Sequence, residues 1–142
     1  MKMESLDEQF EYAKKNMYNI DNVPIITDYL INKLMPFHIL HKKGHRLSTV
    51  YLGFYYLQFA YLFINKKNGN KEVSEMLKLA MKYLFESYTY GHQNTKNIII
   101  KLIIMINISA TNDDNIVYHI DETKYEEFEQ LIKTNFLDIL NL

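Results

Sequence analysis

Residues 47–65 read LSTVYLGFYYLQFAYLFIN, and from Val50 to Ile64 nearly every side chain is apolar or aromatic, with Gln58 the main exception. A continuous apolar run does not by itself separate helix from strand. This one is much longer than an ordinary strand, so length decides for a helix. A helix that is apolar on every side is buried on every side, or it sits in lipid. A membrane span needs about 20 apolar residues. The run is shorter than that, and it carries the hydroxyls of Tyr51, Tyr55, Tyr56 and Tyr61, which lack partners in lipid but reach water at the edge of a soluble core. The stretch is therefore expected to be the central helix of a water-soluble bundle. Ser48 is placed to cap it, with Leu47 and Leu52 as a hydrophobic staple. Gly53 and Ala60 lie two turns apart on one stripe, where a neighbouring helix can approach closely.

The rest of the chain is punctuated as a helical array. Ser5 and Glu8 form a capping box ahead of Leu6, Phe10, Ala13 and Met17, which share one helical face. Asp21 or Asn22 caps a second helix, with Pro24 in its first turn and Pro36 marking its end. The segment PFHILHKKGHR holds a short helical turn before Gly44. After a polar turn over 65–71, a helix from about Glu72 to Ser87 buries Val73, Met76, Leu77, Ala80, Met81, Leu84 and Phe85. Residues 95–109 contain the apolar run Ile98–Ile108, interrupted only by Lys101 and Asn107. Its β-branched residues favour a strand, but its length favours a second buried helix. Residues 116–120 suit an extended segment. Thr123 and Glu126 then form a capping box before Tyr125, Phe128, Leu131, Ile132, Phe136, Ile139 and Leu140, the clearest amphipathic pattern in the chain. The expectation is all-α: a single domain over 1–142, about six helices packed around central helices 47–65 and 95–109.

At 142 residues the chain is long enough to hold a core without metal or disulfides. It has no cysteine, which removes disulfide scaffolds, cysteine-ligated zinc and thiol chemistry together. The N-terminus has no apolar run of the secretory kind, so a cytoplasmic location is expected. The net charge of −1 conceals a strong asymmetry. Residues 1–35 hold six acids and four bases, residues 36–110 three acids and ten bases, and residues 111–142 eight acids and two bases. Either the acidic tail packs against the basic middle and neutralises it, or one face stays charged for a partner.

Little in the chain suggests chemistry. His38, His41 and His45 would share a face if one helix ran through them, and neutral imidazoles so spaced can bind zinc. Gly44 interrupts that helix, and no carboxylate stands nearby to complete the site, so no metal site is expected. Lys42, Lys43 and Arg46, with Lys66, Lys67 and Lys71, form two basic clusters suited to phosphate contact. They lie at opposite ends of the central helix, so a nucleic-acid-binding helical module is an alternative without a continuous track. There is no glycine-rich phosphate loop, no G-x-S-x-G and no nucleophilic cysteine. His92 and His119 are isolated. The expectation is no enzyme, no catalytic residue and no cofactor. What remains is surface. The chain has 12 tyrosines, a residue enriched at binding hot spots, and Tyr88 and Tyr90 in YTYGHQ are the best placed to be exposed. Asp113, Asp114, Asp121, Glu122, Glu126, Glu127 and Glu129 are candidates for an acidic contact face.

In overall character the whole chain resembles the immunity proteins of bacterial polymorphic toxin systems, including contact-dependent growth inhibition. That resemblance implies a small cytoplasmic inhibitor binding one toxin domain stoichiometrically. The toxin would be a nuclease with a basic cleft, met by Asp113, Asp114, Asp121, Glu122, Glu126, Glu127, Tyr88 and Tyr90. The amphipathic helices around a hydrophobic one are also similar to viral Bcl-2-like proteins, which implies a helix-binding groove. Their N-W-G-R signature is absent, and the comparable spot, Tyr90-Gly91-His92, does not match it. Leu52-Gly53 with Tyr56 resembles the L-G-x-x-Y core of a tetratricopeptide helix, in one copy. The oligomeric state is left open by all three.

Overall fold

The computed structural model describes residues 5–15, 32–64, 69–110 and 115–140, and within these the side chains of Gln93 and of 135–140 are left aside. Helix α3 (Arg46–Ile64) is the axis of the fold, preceded by α1 (Leu6–Lys15) and α2 (Met35–Lys42). It is followed by α4 (Asn70–Thr89), α5 (Gln93–Met105), the hairpin β1 (Ile106–Ala110) and β2 (Ile116–Ile120), a 3-10 turn (Glu122–Lys124) and α6 (Tyr125–Leu140). The chain is thus an all-α bundle with one small antiparallel hairpin. The predicted helix around Pro24, the turn over 65–68, and Asp113 and Asp114 lie outside the described residues.

By length and composition α3 could cross a membrane, yet most of it is buried by the chain's own elements. Its uniform apolarity requires that cover. The extensive contact of α3 with α4 supplies it on one side, with α2 and α6 adding more. Gly53 is where the two long helices come closest: a Cβ there would lie 3.0 Å from Leu84 Cγ and Cδ2. One continuous core joins Phe10, Phe37, Tyr51, Tyr55 and Phe59 to Leu77, Leu84, Leu102 and Phe128. At its N-terminal end the Phe10 ring meets Tyr51 edge-on at 4.9 Å, while Phe37 stacks on Tyr51 at 5.1 Å.

Several local expectations are corrected. The start of α3 is capped by His45, whose Nδ1 accepts the Ser48 N–H at 3.3 Å, and not by Ser48. Pro36 both follows a helix end, since helical Asn32 and Lys33 stop at a turn at Leu34, and sits in the first turn of α2. The 3-10 turn is capped by Asp121, which accepts the Thr123 N–H at 3.0 Å, so Thr123 is not the cap of α6. In α4 the buried stripe runs through Tyr83 and Ser87, leaving Phe85 exposed.

The largest correction concerns 95–109. Its helix ends at Met105, and residues 106–110 pair with 116–120 in the register Ile106↔Ile120, Ile108↔Tyr118, Ala110↔Ile116. Alternation in INISA matches the period of a strand, the β-branched and aromatic residues of IVYHI suit one as well, and the second segment offers the first a partner that a helix through 109 would leave unpaired. Nor is α5 wrapped on all sides. Ile98, Ile99, Leu102 and Met105 are buried, whereas Ile100, Ile103 and Ile104 are exposed.

Candidate functional site

The three histidines of PFHILHKKGHR are parted by Gly44, whose φ of +87° ends α2. Each makes its own bonds between elements. His38 Nε2 lies 2.7 Å from the Tyr56 hydroxyl on α3, and its Nδ1 lies 3.4 Å from that of Tyr83 on α4. His41 Nδ1 is 2.7 Å from Thr49 Oγ1, with Nε2 3.3 Å from Glu86 Oε2. His45 donates from Nε2 to Asp7 Oδ1 at 2.8 Å, tying α1 to the start of α3. Burial lowers the His38 pKa, helped by the positive charge of His41, Lys42 and Lys82. Burial beside Tyr83 pushes the Tyr56 phenol up to about 12. Tyr56 and Tyr83 stack at 5.8 Å, so the cluster is a packed junction of α2, α3 and α4. Among the described residues no three His, Asp or Glu side chains converge as metal ligands.

The outward face of the C-terminal third is built differently. Ile100, Ile103 and Ile104 fall at i, i+3 and i+4 on one stripe of α5, and Ile103 and Ile104 are 57% and 67% exposed. Across from Ile104, α6 is anchored by Phe128 and Leu131, both buried. Beside them on the rim of the same face, Glu126 and Glu127 are exposed to solvent. Between α5 and α6 runs a groove of about 580 Å³ with Met105 and Leu131 in its lining, Glu126 and Glu127 on one wall, and Ile104 and Lys101 on the other. Asp121 and Glu122 continue the acid around the base of the hairpin, beside Asn107 and His119.

Among the described residues these acids make no ion pair with the basic middle of the chain, whose Lys101 stands on the facing wall of the groove. Among the described residues the ion pairs of the C-terminal part are Lys124–Glu127 (3.6 Å) and Lys133–Glu129 (2.8 Å), both within the same segment, and none reaches back to residues 36–110. The Thr123 N–H and hydroxyl hold the Asp121 carboxyl below its ordinary range. Lys133, then the Tyr61 hydroxyl, do the same for Glu129. Asp121 and Glu129 therefore stay charged at neutral pH.

The candidate residues divide into two groups. Asp121, Glu122, Glu126 and Glu127 come together near the N-terminal end of α4. Tyr88 and Tyr90 are exposed at its other end, about 27 Å away along the helix by its rise per residue. Tyr90 lies beneath the Arg46 guanidinium at 5.3 Å. Lys42, Lys43 and Arg46 are exposed there too. The isoleucines of α5 went unnoticed as surface because the segment was read as buried throughout. The available signal was Lys96, Asn97 and Lys101, whose spacing marks a wet side next to Ile100 and Ile104. No protein-family model matches the chain, and no curated protein and no solved structure matches it.

Proposed function

We propose that this chain is a non-enzymatic protein-binding module that neutralises a cognate toxin domain by stoichiometric contact, with a basic partner surface as its target. The observation that carries the reading is the juxtaposition of exposed Ile104 with Glu126 and Glu127 across one groove, next to Asp121 and Glu122, acids that make no ion pair with the basic middle among the described residues. Contiguous exposed apolar surface rimmed by polar groups marks interaction sites. Here the apolar stripe supplies desolvation, and the acids supply steering and choice of partner. The toxin assignment rests in addition on the overall resemblance to immunity proteins. An α5–α6 groove with an apolar floor favours a second reading, a receptor for an amphipathic helix.

The test is co-expression with the product of the adjacent gene. Relief of its toxicity and co-purification at a fixed ratio are expected, and failure of both refutes the toxin reading. A triple reversal, Glu122→Lys, Glu126→Lys and Glu127→Lys, locates the face. Asp121 is left alone because it caps the 3-10 turn. The reversal should slow association at least tenfold at low salt while the protein stays folded, since rim charges act mainly on the association rate. Unchanged association removes the acidic face from the site. Capture of an amphipathic peptide with no adjacent toxin supports the second reading instead.

A further inference from the structure

The hairpin has an open edge whose direction can be worked out. The Tyr118 N–H donates to Ser74 Oγ on α4 at 2.9 Å, so it points away from β1. In a strand the N–H and C=O of one residue point to the same side, and successive residues alternate. Tyr118 faces Ile108 in the register, so this pair exchanges no backbone bonds. Ile108 therefore turns both its backbone groups away from β2, and Ile106 and Ala110 do likewise. The Ile106 N–H is taken by the Leu102 carbonyl. That leaves the Ile106 C=O, the Ile108 N–H and C=O, and the Ala110 N–H along the outer edge. Among the described residues, β1 packs substantially on β2 alone. The strand INISA carries neither the charge nor the proline that often blunts an edge.

We propose that this edge pairs with a second copy of the chain. The strands run antiparallel across a two-fold axis at Ile108, giving a four-stranded β2–β1–β1–β2 sheet. The Ile108 N–H donates to the C=O of the partner's Ile108, and the Ala110 N–H to the C=O of the partner's Ile106. Symmetry repeats both, so four backbone bonds form. A two-fold places the central residue against itself, which a charged residue would not tolerate, and the central residue here is isoleucine. Ile106 then meets alanine, large against small. Ile108 and Ile116, 64% and 51% exposed, lie on the same face of the hairpin as Ile106 and Ile120 but beyond the helices. In the pair they join into one apolar band. Two-stranded hairpins are marginal alone and gain from added strands. This inference does not draw on the binding face of α5 and α6.

The experiment is sedimentation equilibrium over a concentration series for the wild type, Ile108→Pro, Ile108→Lys and Ile108→Thr, with circular dichroism to verify folding. Ile108→Pro deletes an N–H that β2 does not use, at a position where an edge strand accepts proline. Ile108→Lys keeps the backbone and sets two like charges at the axis, so it carries the test if the proline variant unfolds. The wild type should move from the mass of one chain to that of two. Proline and lysine should weaken association at least tenfold, and Ile108→Thr should dimerise within a few-fold of wild type. A wild type that stays monomeric, or a folded proline or lysine variant that dimerises as the wild type does, overturns the proposal.

Discussion

Gly53→Ala sets two well-understood effects against each other at one atom. Alanine in a helix interior gains about 1 kcal/mol over glycine. The added Cβ would sit 3.0 Å from Leu84 Cγ and Cδ2, and 3.2 Å from the Leu84 backbone nitrogen. Leu84 is fully buried, so its side chain has no free space to swing into, and the nitrogen moves only if α4 moves. Overpacking of this kind costs about 1–3 kcal/mol, so Gly53→Ala should leave stability unchanged or lower it by up to about 2 kcal/mol. Urea unfolding reads this as a lower midpoint at constant slope. The mechanism is isolated in a Leu84→Ala background, where the obstructing side chain is gone. There the same Gly53→Ala change should raise stability, with a coupling free energy of about 0.5–3 kcal/mol between the two sites. If Gly53→Ala stabilises the wild type by the full helix-propensity increment, α3 and α4 do not meet at Gly53 and the packing argument fails.

Two further predictions concern the histidine junctions. The His38 pKa is lowered in the folded state from its ordinary 6.5, so as pH falls through about 6.5 the unfolded chain takes up a proton that the folded chain refuses. Stability should therefore fall with decreasing pH between the unfolded and folded values, and His92, also lowered by burial, adds to the same trend. Potentiometric or urea titration of His38→Gln should show the proton linkage in that window reduced by less than one proton, and an unchanged linkage would remove His38 from the account. At the α1 junction the buried His45 donates to the exposed Asp7. Asp7→Ala leaves that N–H without its acceptor and should cost about 1–3 kcal/mol in chemical unfolding. Asp7→Asn retains an acceptor oxygen and should cost distinctly less; equal losses would show that the carboxylate acts only through its charge.

The helical part of this fold was legible because its signals agree with one another. In 47–65, length, apolarity and the Gly53 stripe all point to one buried helix packed closely by another, and α3 and α4 meet at that glycine. The Ser5 cap is present as well, its Oγ accepting the Glu8 N–H at 3.1 Å. Residues 95–109 were misread where two signals conflict. Apolar length argued for helix to the end, while the alternation after Met105 argued for a strand, and the decision depended on a partner some ten residues away that no local pattern reports. Caps were misplaced for a related reason. Ser48 and Thr123 have the right chemistry, but His45 and Asp121 stand closer to the free N–H groups. The acidic residues of 121–127 could be picked out by charge alone. Their separation from Tyr88 and Tyr90 could not, because it follows from the way α4 runs between them.

The two parts of the molecule use their polar groups in opposite ways, and the contrast bears on function. From α1 to α4 most polar side chains inside the bundle are paired inward, with Gln58 Oε1 and Glu72 Oε2 as buried exceptions among the described residues. His38, His41, His45, Ser48 and Thr49 all bond between or within packed elements, so this region is a scaffold with its options closed. From α5 onward the relation reverses. Isoleucines stand in solvent on α5 and on both strands of the hairpin, the ion pairs of the α6 acids stay within their own segment among the described residues, and β1 keeps a row of outward backbone groups. Exposed isoleucine, uncompensated acid and an open strand edge each carry a cost in solubility or specificity for a chain that need only fold. The body exposes large apolar side chains too, at Tyr12, Met35, Ile39 and Phe85; what sets the last third apart is that its exposed isoleucines stand beside acids and an open strand edge, which is the combination the proposed binding role draws on.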